Sequence, residues 1–340
     1  MARILGRDKI VGLLEMEDCI EVVEAAQRQF SAGRTIMPVR LTTPIPEKGN
    51  HLAMPAALPD VPAFGMKAIT IFPSNPQRNA PTLQGLVVVN DPETGSVLAV
   101  LEAAYLTGVR TAAASAVATR TLAQPDARTL ALIGAGVQAE HHLWAMTVVR
   151  PIEHVRVVAR SAESAERFCS SQHEHFPRLA LEPTTSHEEA IRGADIICAV
   201  SSSTEPVMNL EWLSPGAHVN GVGSHSPNAR EVDGATMVAA HVVVDSRDAN
   251  LNECGDCMIP LSEGLFGPEH VSDEIGEVIN GTKPGRTGEE ELTVYQSCGL
   301  AVQDVATAAL VYRRALEKGV GEEVALCSEN EGLRSFEWNP

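Results

Sequence analysis

The chain has 340 residues, 44% of them hydrophobic, and a formal net charge of −18 at pH 7. That length suits two domains of ordinary size, or one with a large insertion, with enough apolar material for real cores. The negative charge opposes nucleic-acid binding; no apolar run reaches the roughly 18 residues of a membrane span and the N-terminus lacks a signal-peptide core, so a soluble, cytoplasmic protein without a membrane partner is expected.

Residues 18 to 33 predict a first helix. Asp18 can cap it, with Glu21 three positions on; Ile20, Val23, Ala26 and Phe30 form one apolar face, and Gly33 supplies the stop. From Met37 to Val100 short apolar runs alternate with Pro- and Asn-rich turns, which predicts a meander of strands with a hairpin at 90 to 96. Three cations stand out here: Arg40, Lys67 inside a strand flanked by Phe64, Met66, Ile69 and Ile71, and Arg110 at the expected start of a helix of small residues. A lysine in such a setting needs an anion, and an arginine at a helix N-terminus suits a substrate carboxylate. The bland alternative is that Lys67 reaches the surface and Arg110 pairs with a local acid such as Glu102.

Pro125 and Asp126 break the chain before its most informative stretch. Thr129 to Ile133 form an apolar strand that runs through Gly134, Ala135 and Gly136 into Val137, Gln138 and Ala139, a G-x-G-x-x-A turn from strand to helix. Gly134 permits a tight turn, Gly136 lets the backbone approach a pyrophosphate, and the helix amides of Val137 and Gln138 offer an anion site. The second strand, His154 to Ala159, ends in Arg160 and Ser161 instead of the acid that commonly holds a ribose 2′-hydroxyl. Arg160 can pair a 2′-phosphate and Ser161 can donate to it, so NADPH is expected, with NADH as the alternative should Arg160 be only a solvated loop residue.

Further units follow: a strand at 179 to 182, then Ala194 to Val200, His218 to Gly223 and His241 to Asp245. Strands alternating with helices predict a doubly wound parallel sheet whose ligands sit beyond the strands' carboxyl ends. Ser201, Gly223 and His225 fall at such ends, and His225 is the titratable group placed to act near the nicotinamide, or else a loop histidine packed on the ribose. Ser297 lies in the run from Tyr295 to Gly299 that leads into a long helix at 300 to 318, which is expected to cross back to the first half. The expected division is a substrate-binding and dimerisation domain from 1–122 and 300–330, a NAD(P)-binding domain over 123–299, and a loose tail at 331–340.

Seven cysteines, at positions 19, 169, 198, 254, 257, 298 and 327, form no disulfide framework. Cys254 and Cys257 make a C-x-x-C, but no second pair or histidine motif completes a zinc site, so no metal is expected.

With these residues on view, the chain resembles the ornithine cyclodeaminase and mu-crystallin family from Asp18 to about Lys318. The resemblance rests on Arg40, Met54-Pro55, Gly65 to Lys67, Arg110 to Ala116, Gly134 to Ala139, Gly223 to Pro227, Arg230-Glu231, and Ser297 to Gly299. It implies a Rossmann domain plus a second, α+β domain whose sheet forms a homodimer. It also implies that Arg40, Lys67 and Arg110 bind the carboxylate of an imino or amino acid, with Lys67 and His225 as the catalytic groups. Ornithine cyclodeaminases carry an aspartate in place of His225, a glutamate in place of Leu52 and an acid near Arg160. Those departures point to the family's NADPH-dependent reduction of cyclic imino acids, ahead of cyclodeamination, alanine-type dehydrogenation or ligand binding without turnover.

Overall fold

The computed structural model describes residues 1–224 and 226–326; His225, Cys327 and the tail 331–340 lie outside the described residues. Alternation of side chains across strands builds the first sheet. Its strands are β1 (Ala2–Leu5), β2 (Leu41–Ile45), β3 (Gly49–Leu58), β4 (Ala63–Ile71), β5 (Leu83–Asn90) and β6 (Val97–Glu102). Strands β2 to β6 form an antiparallel meander, and β1 joins its far side parallel to β6. Between β5 and β6 the expected hairpin turn is closed by Asp91, whose amide donates to Ser96 at 2.8 Å.

Register sorts this sheet into two faces. On the inner face Leu52 stands opposite Ile69, and Lys67 stands between Met54 and Val87; all of these are buried. On the outer face Leu41, Ala53, Ala68 and Leu86 line up across four strands. Lys67 therefore does not share a face with Phe64 and Met66, as its sequence neighbours suggested; the two-residue period turns them to the opposite side.

The second sheet contains β7 (Thr129–Ile133), β8 (His154–Val158), β9 (Ala180–Thr184), β10 (Ile196–Ala199), β11 (His218–Gly221), β12 (His241–Val244), β13 (Asp273–Glu274) and β14 (Thr293–Gln296). All its neighbours pair in parallel, in the order β13-β12-β14-β11-β10-β7-β8-β9. Strand order reverses between β7 and β10, which opens a crevice at their carboxyl ends. The sheet is thus the doubly wound one expected from sequence. Strand β14 is an addition: its four residues are wholly buried between β11 and β12, a position too short and too polar at its ends to read as a strand.

The last strand, β15 (Glu322–Val324), returns to pair with β1 in the first sheet. Just before it, the helix Ala301–Lys318 packs on β3, β4 and β5 and on the helices Met16–Ser31 and Ala103–Leu122. The helix Met16–Ser31 starts two residues before the expected position. Asp18 does not cap it; its carboxylate pairs with Arg314 at 2.5 Å instead, tying the two ends of the chain together. Among the described residues, no helix is long and apolar enough to cross a membrane.

Candidate active site

The glycine turn after β7 has the geometry of a dinucleotide cradle. Gly134 has φ +125°, and a Cβ there would lie 2.9 Å from the Val200 carbonyl, so the tip of β7 can pass the tip of β10 only as glycine. Gly136 is the N-cap of the helix Val137–Val149; no side chain caps that helix, and a Cβ on Gly136 would meet nothing within 4 Å. First-turn amides without a side-chain partner, facing open space, fit a pyrophosphate. Val137 is exposed there and Gln138 is half-buried. At the tip of β8, Arg160 is exposed and enters no ion pair among the described residues, while Ser161 caps the next helix by accepting from the Ser164 amide at 3.3 Å.

Two of the expected cofactor residues are held by an acid that sequence reading noted only as part of a family pattern. Buried Glu231 accepts from the Ser201 amide and hydroxyl, at 2.8 and 2.5 Å, and from the Gly223 amide at 2.7 Å. It thereby pins the loops after β10 and β11 to each other. Burial pushes its carboxyl up to about 7, against the pull of those donors. Ser297, after β14, donates its hydroxyl to Asp245 at 3.1 Å.

The three cations converge on the tip of β14. Lys67 is 1% exposed, and its Nζ lies 2.7 Å from Asp304 Oδ2. Arg110 Nε lies 2.8 Å from the other oxygen of the same carboxylate, and its Nη1 donates to Gln303 Oε1 at 2.9 Å. Arg40 pairs with Glu253 at 3.0 Å and donates to the Gly299 carbonyl at 2.7 Å. Gly299 has φ +77°, and a Cβ on it would sit 2.7 Å from Arg110 Nη1. Its amide is held by Asp245 at 2.7 Å. The first sheet's cations are therefore docked against the carboxyl edge of the second sheet, on the side where the glycine cradle opens.

Two local readings are corrected. Arg110 does not open its helix: Glu102 caps it earlier, accepting from the Ala104 and Tyr105 amides at 2.6 and 3.0 Å, so Arg110 lies in the helix interior and cannot share the N-terminal dipole. Nor is Glu102 its partner. Asp304, fully buried in the first turn of the helix Ala301–Lys318, takes that role and escaped sequence reading. The available signal was an acid set in an otherwise apolar helical run just after Gly299.

Electrostatics follow from this packing. Burial and the neighbouring Arg110 lower the Lys67 ammonium to about 7, although Asp304 opposes them. Lys67, Arg110 and Asp304 together retain one positive charge whenever the lysine is protonated. Leu52, Met54, Ile69 and Val87 share the inner face with Lys67 and are buried in the apolar core around it. The expected catalytic residue His225 lies outside the described residues. The C-x-x-C cysteines are buried and free; Cys254 donates to the Ser224 hydroxyl at 3.7 Å.

Comparison with known proteins bears on the family and the fold. The model of the ornithine cyclodeaminase/mu-crystallin family matches residues 2–319. A Δ1-pyrroline-2-carboxylate reductase of Bacillus cereus is 41% identical over 323 residues, spanning 94% of this chain and 99% of its own. Among solved structures, the Δ1-pyrroline-2-carboxylate reductase of Thermococcus litoralis, in complex with NADH and L-proline, superposes with a TM-score of 0.92 at 36% identity, covering 95% of this chain and 100% of its own. An archaeal alanine dehydrogenase dimer with bound NAD gives 0.90 at 35% identity, over 96% and 99% of the two chains.

Proposed function

The chain belongs to the ornithine cyclodeaminase/mu-crystallin family, and from that premise we propose that it is a cytoplasmic NADPH-dependent reductase of cyclic imino acids. It would convert Δ1-pyrroline-2-carboxylate or Δ1-piperideine-2-carboxylate to L-proline or L-pipecolate. The observation that carries this reading is the buried pair Lys67 and Arg110 sharing the single carboxylate of Asp304. A surplus positive charge walled by Leu52, Met54 and Ile69 suits a small acid with an apolar ring and offers nothing to a cationic side chain.

When bound, the nicotinamide supplies the hydride. The chain's own residues do the rest. Gly134, Gly136 and the amides of Val137 and Gln138 would hold the pyrophosphate, and Arg160 with Ser161 the 2′-phosphate. The loops carrying Ser201, Gly223 and Ser297 would line the pocket from the strand tips, with Glu231 and Asp245 fixing their course. Arg40, Lys67 and Arg110 would orient the substrate carboxylate so that the C=N bond lies at the cofactor edge of the sheet. A lysine that titrates at about 7 is matched to donating a proton to the imine nitrogen at neutral pH, and the sequence offers His225 as a second donor. With Lys67 as the acid, kcat/KM falls as pH rises through about 7.

A panel assay tests the reading: purified protein with NADPH or NADH against five- and six-membered cyclic imines, beside NAD with ornithine, lysine and alanine. Stoichiometric NADPH consumption with the imines is expected. Ammonia release from ornithine or lysine would replace the reading with cyclodeamination. Turnover of alanine alone would replace it with the dehydrogenase reading, which the likeness to the archaeal enzyme favours. Inactivity throughout, with NADPH still bound, would indicate a binding protein.

A further inference from the structure

We propose that Asp304 and Gln303 are the positioning residues of the carboxylate clamp, fixing how far apart Lys67 and Arg110 stand and leaving a guest anion as their missing partner. This rests on the functional reading above. A fully buried carboxylate with one oxygen on each of two cations compensates only one of them, and an uncompensated buried charge is costly unless an anion joins it.

Gln303 is fully buried, and its Oε1 accepts from Arg110 Nη1 at 2.9 Å and from the Leu300 amide at 3.2 Å. Two donors at one atom settle which end of the amide is oxygen. The other end, Nε2, is then a buried donor with no acceptor among the described residues. Native interiors rarely leave such a donor unpaired. On a side chain already bonded to Arg110, it is a further donor that a guest carboxylate would satisfy.

The consequence is that Asp304 also governs the protonation of Lys67. The charged groups facing that lysine are Asp304 and Arg110 from the helices above it and Arg40 from the loop before β2, with Glu253 paired to Arg40. Its neighbours in the sheet, Met54 and Val87, carry no charge. Asp304 is thus the anion that faces Lys67 directly.

The chain has few lysines, Lys9, Lys48, Lys67, Lys283 and Lys318, so Lys67 can be followed by NMR in protein labelled with [ε-13C]lysine and assigned with Lys67→Met. In Asp304→Asn the Lys67 midpoint should drop by about one pH unit or more, and the alkaline limb of kcat/KM should move with it. The dissociation constant for NADPH should stay within about twofold. In Gln303→Leu the KM for the imine should rise about tenfold, the worth of one buried hydrogen bond to a charged group, with kcat nearly unchanged. An unmoved midpoint in Asp304→Asn, or an equal loss of NADPH affinity, would overturn the proposal. Should that variant not fold, Asp304→Glu decides: the midpoint stays while kcat/KM falls about tenfold, and a normal kcat/KM would overturn the proposal. The titration needs no substrate, so a wild-type protein that reduces no imine would remove the functional reading while the Lys67 midpoint in Asp304→Asn still decides the role of Asp304.

Discussion

Lys67 shows how a single residue can be legible in type and wrong in surroundings. A lysine in an apolar run signals an anion partner, because desolvation disfavours the ammonium. The partner, Asp304, lies more than two hundred positions away, and no local rule reaches that far. The buried ammonium also makes stability depend on pH. Its folded value, about 7, lies below the ordinary lysine value of 10.5, so the unfolded chain binds the proton more tightly, and between those two values stability from this group rises with pH. Urea denaturation of the wild type and Lys67→Met at pH 7 and pH 9 should show a rise that the variant lacks. Loss of Lys67 or Arg110 to alanine should lower kcat/KM for the imine by about a hundredfold, the worth of one charged hydrogen bond to the substrate carboxylate. At Arg160 the effect should be selective: Arg160→Ala raises the KM for NADPH about tenfold and leaves that for NADH unchanged, since only a 2′-phosphate would meet the guanidinium. Equal effects on the two cofactors would remove Arg160 from that role.

Among elements, the loops after β10 and β11 are joined by one acid. Glu231 accepts three hydrogen bonds from Ser201 and Gly223; Glu231→Gln would turn an NH2 toward a donor at one of them. The expected loss is about 1–3 kcal/mol of stability for the unsatisfied group, with weaker NADPH binding, read by denaturation and by cofactor fluorescence titration. The pH sign is opposite to that of Lys67. A carboxyl raised from 4.5 to about 7 contributes stability below 4.5 and loses it as pH rises through about 7. The glycine turn belongs to the same scale: Gly134→Ala must push the Val200 carbonyl from 2.9 Å at an unfavourable φ, so β7 and β10 would separate at the cradle. Elements themselves were readable wherever pattern was long. The helix Ala103–Leu122 was placed late because Glu102, a terminal strand residue, also serves as its cap. Strand β14 is not legible because its four residues are too few to set a pattern and both ends, Thr293 and Gln296, are polar.

For the whole molecule, the open outer face of the first sheet is its most distinctive surface. Leu41 is 66% exposed and Phe64 and Leu86 are each 39% exposed, aligned with Ala53, Met66, Ala68 and Val88 across β2 to β5. A contiguous apolar sheet face is uncommon on a monomer, and a second copy of this chain would cover it, in keeping with the homodimer proposed from the family. Phe64→Glu combined with Leu86→Lys should convert a dimer to a monomer in analytical ultracentrifugation; an unchanged dimer would place the interface elsewhere. The net charge of −18 does not oppose this pairing, because the face itself is uncharged along those lines.

The doubly wound sheet, the glycine turn after β7 and the oddity of a lysine inside the apolar run around Lys67 were legible in the chain alone, because each depends on local spacing or on a residue type that is costly out of place. Tertiary contact was needed to show that Asp304 bridges Lys67 and Arg110, that Gln303 bonds Arg110, that Gly299 packs against that arginine, and that Phe64 and Met66 face away. Those facts depend on which distant segments are brought into contact when the helix Ala301–Lys318 folds back over the first sheet, and contact across such separations leaves no periodic trace in the chain.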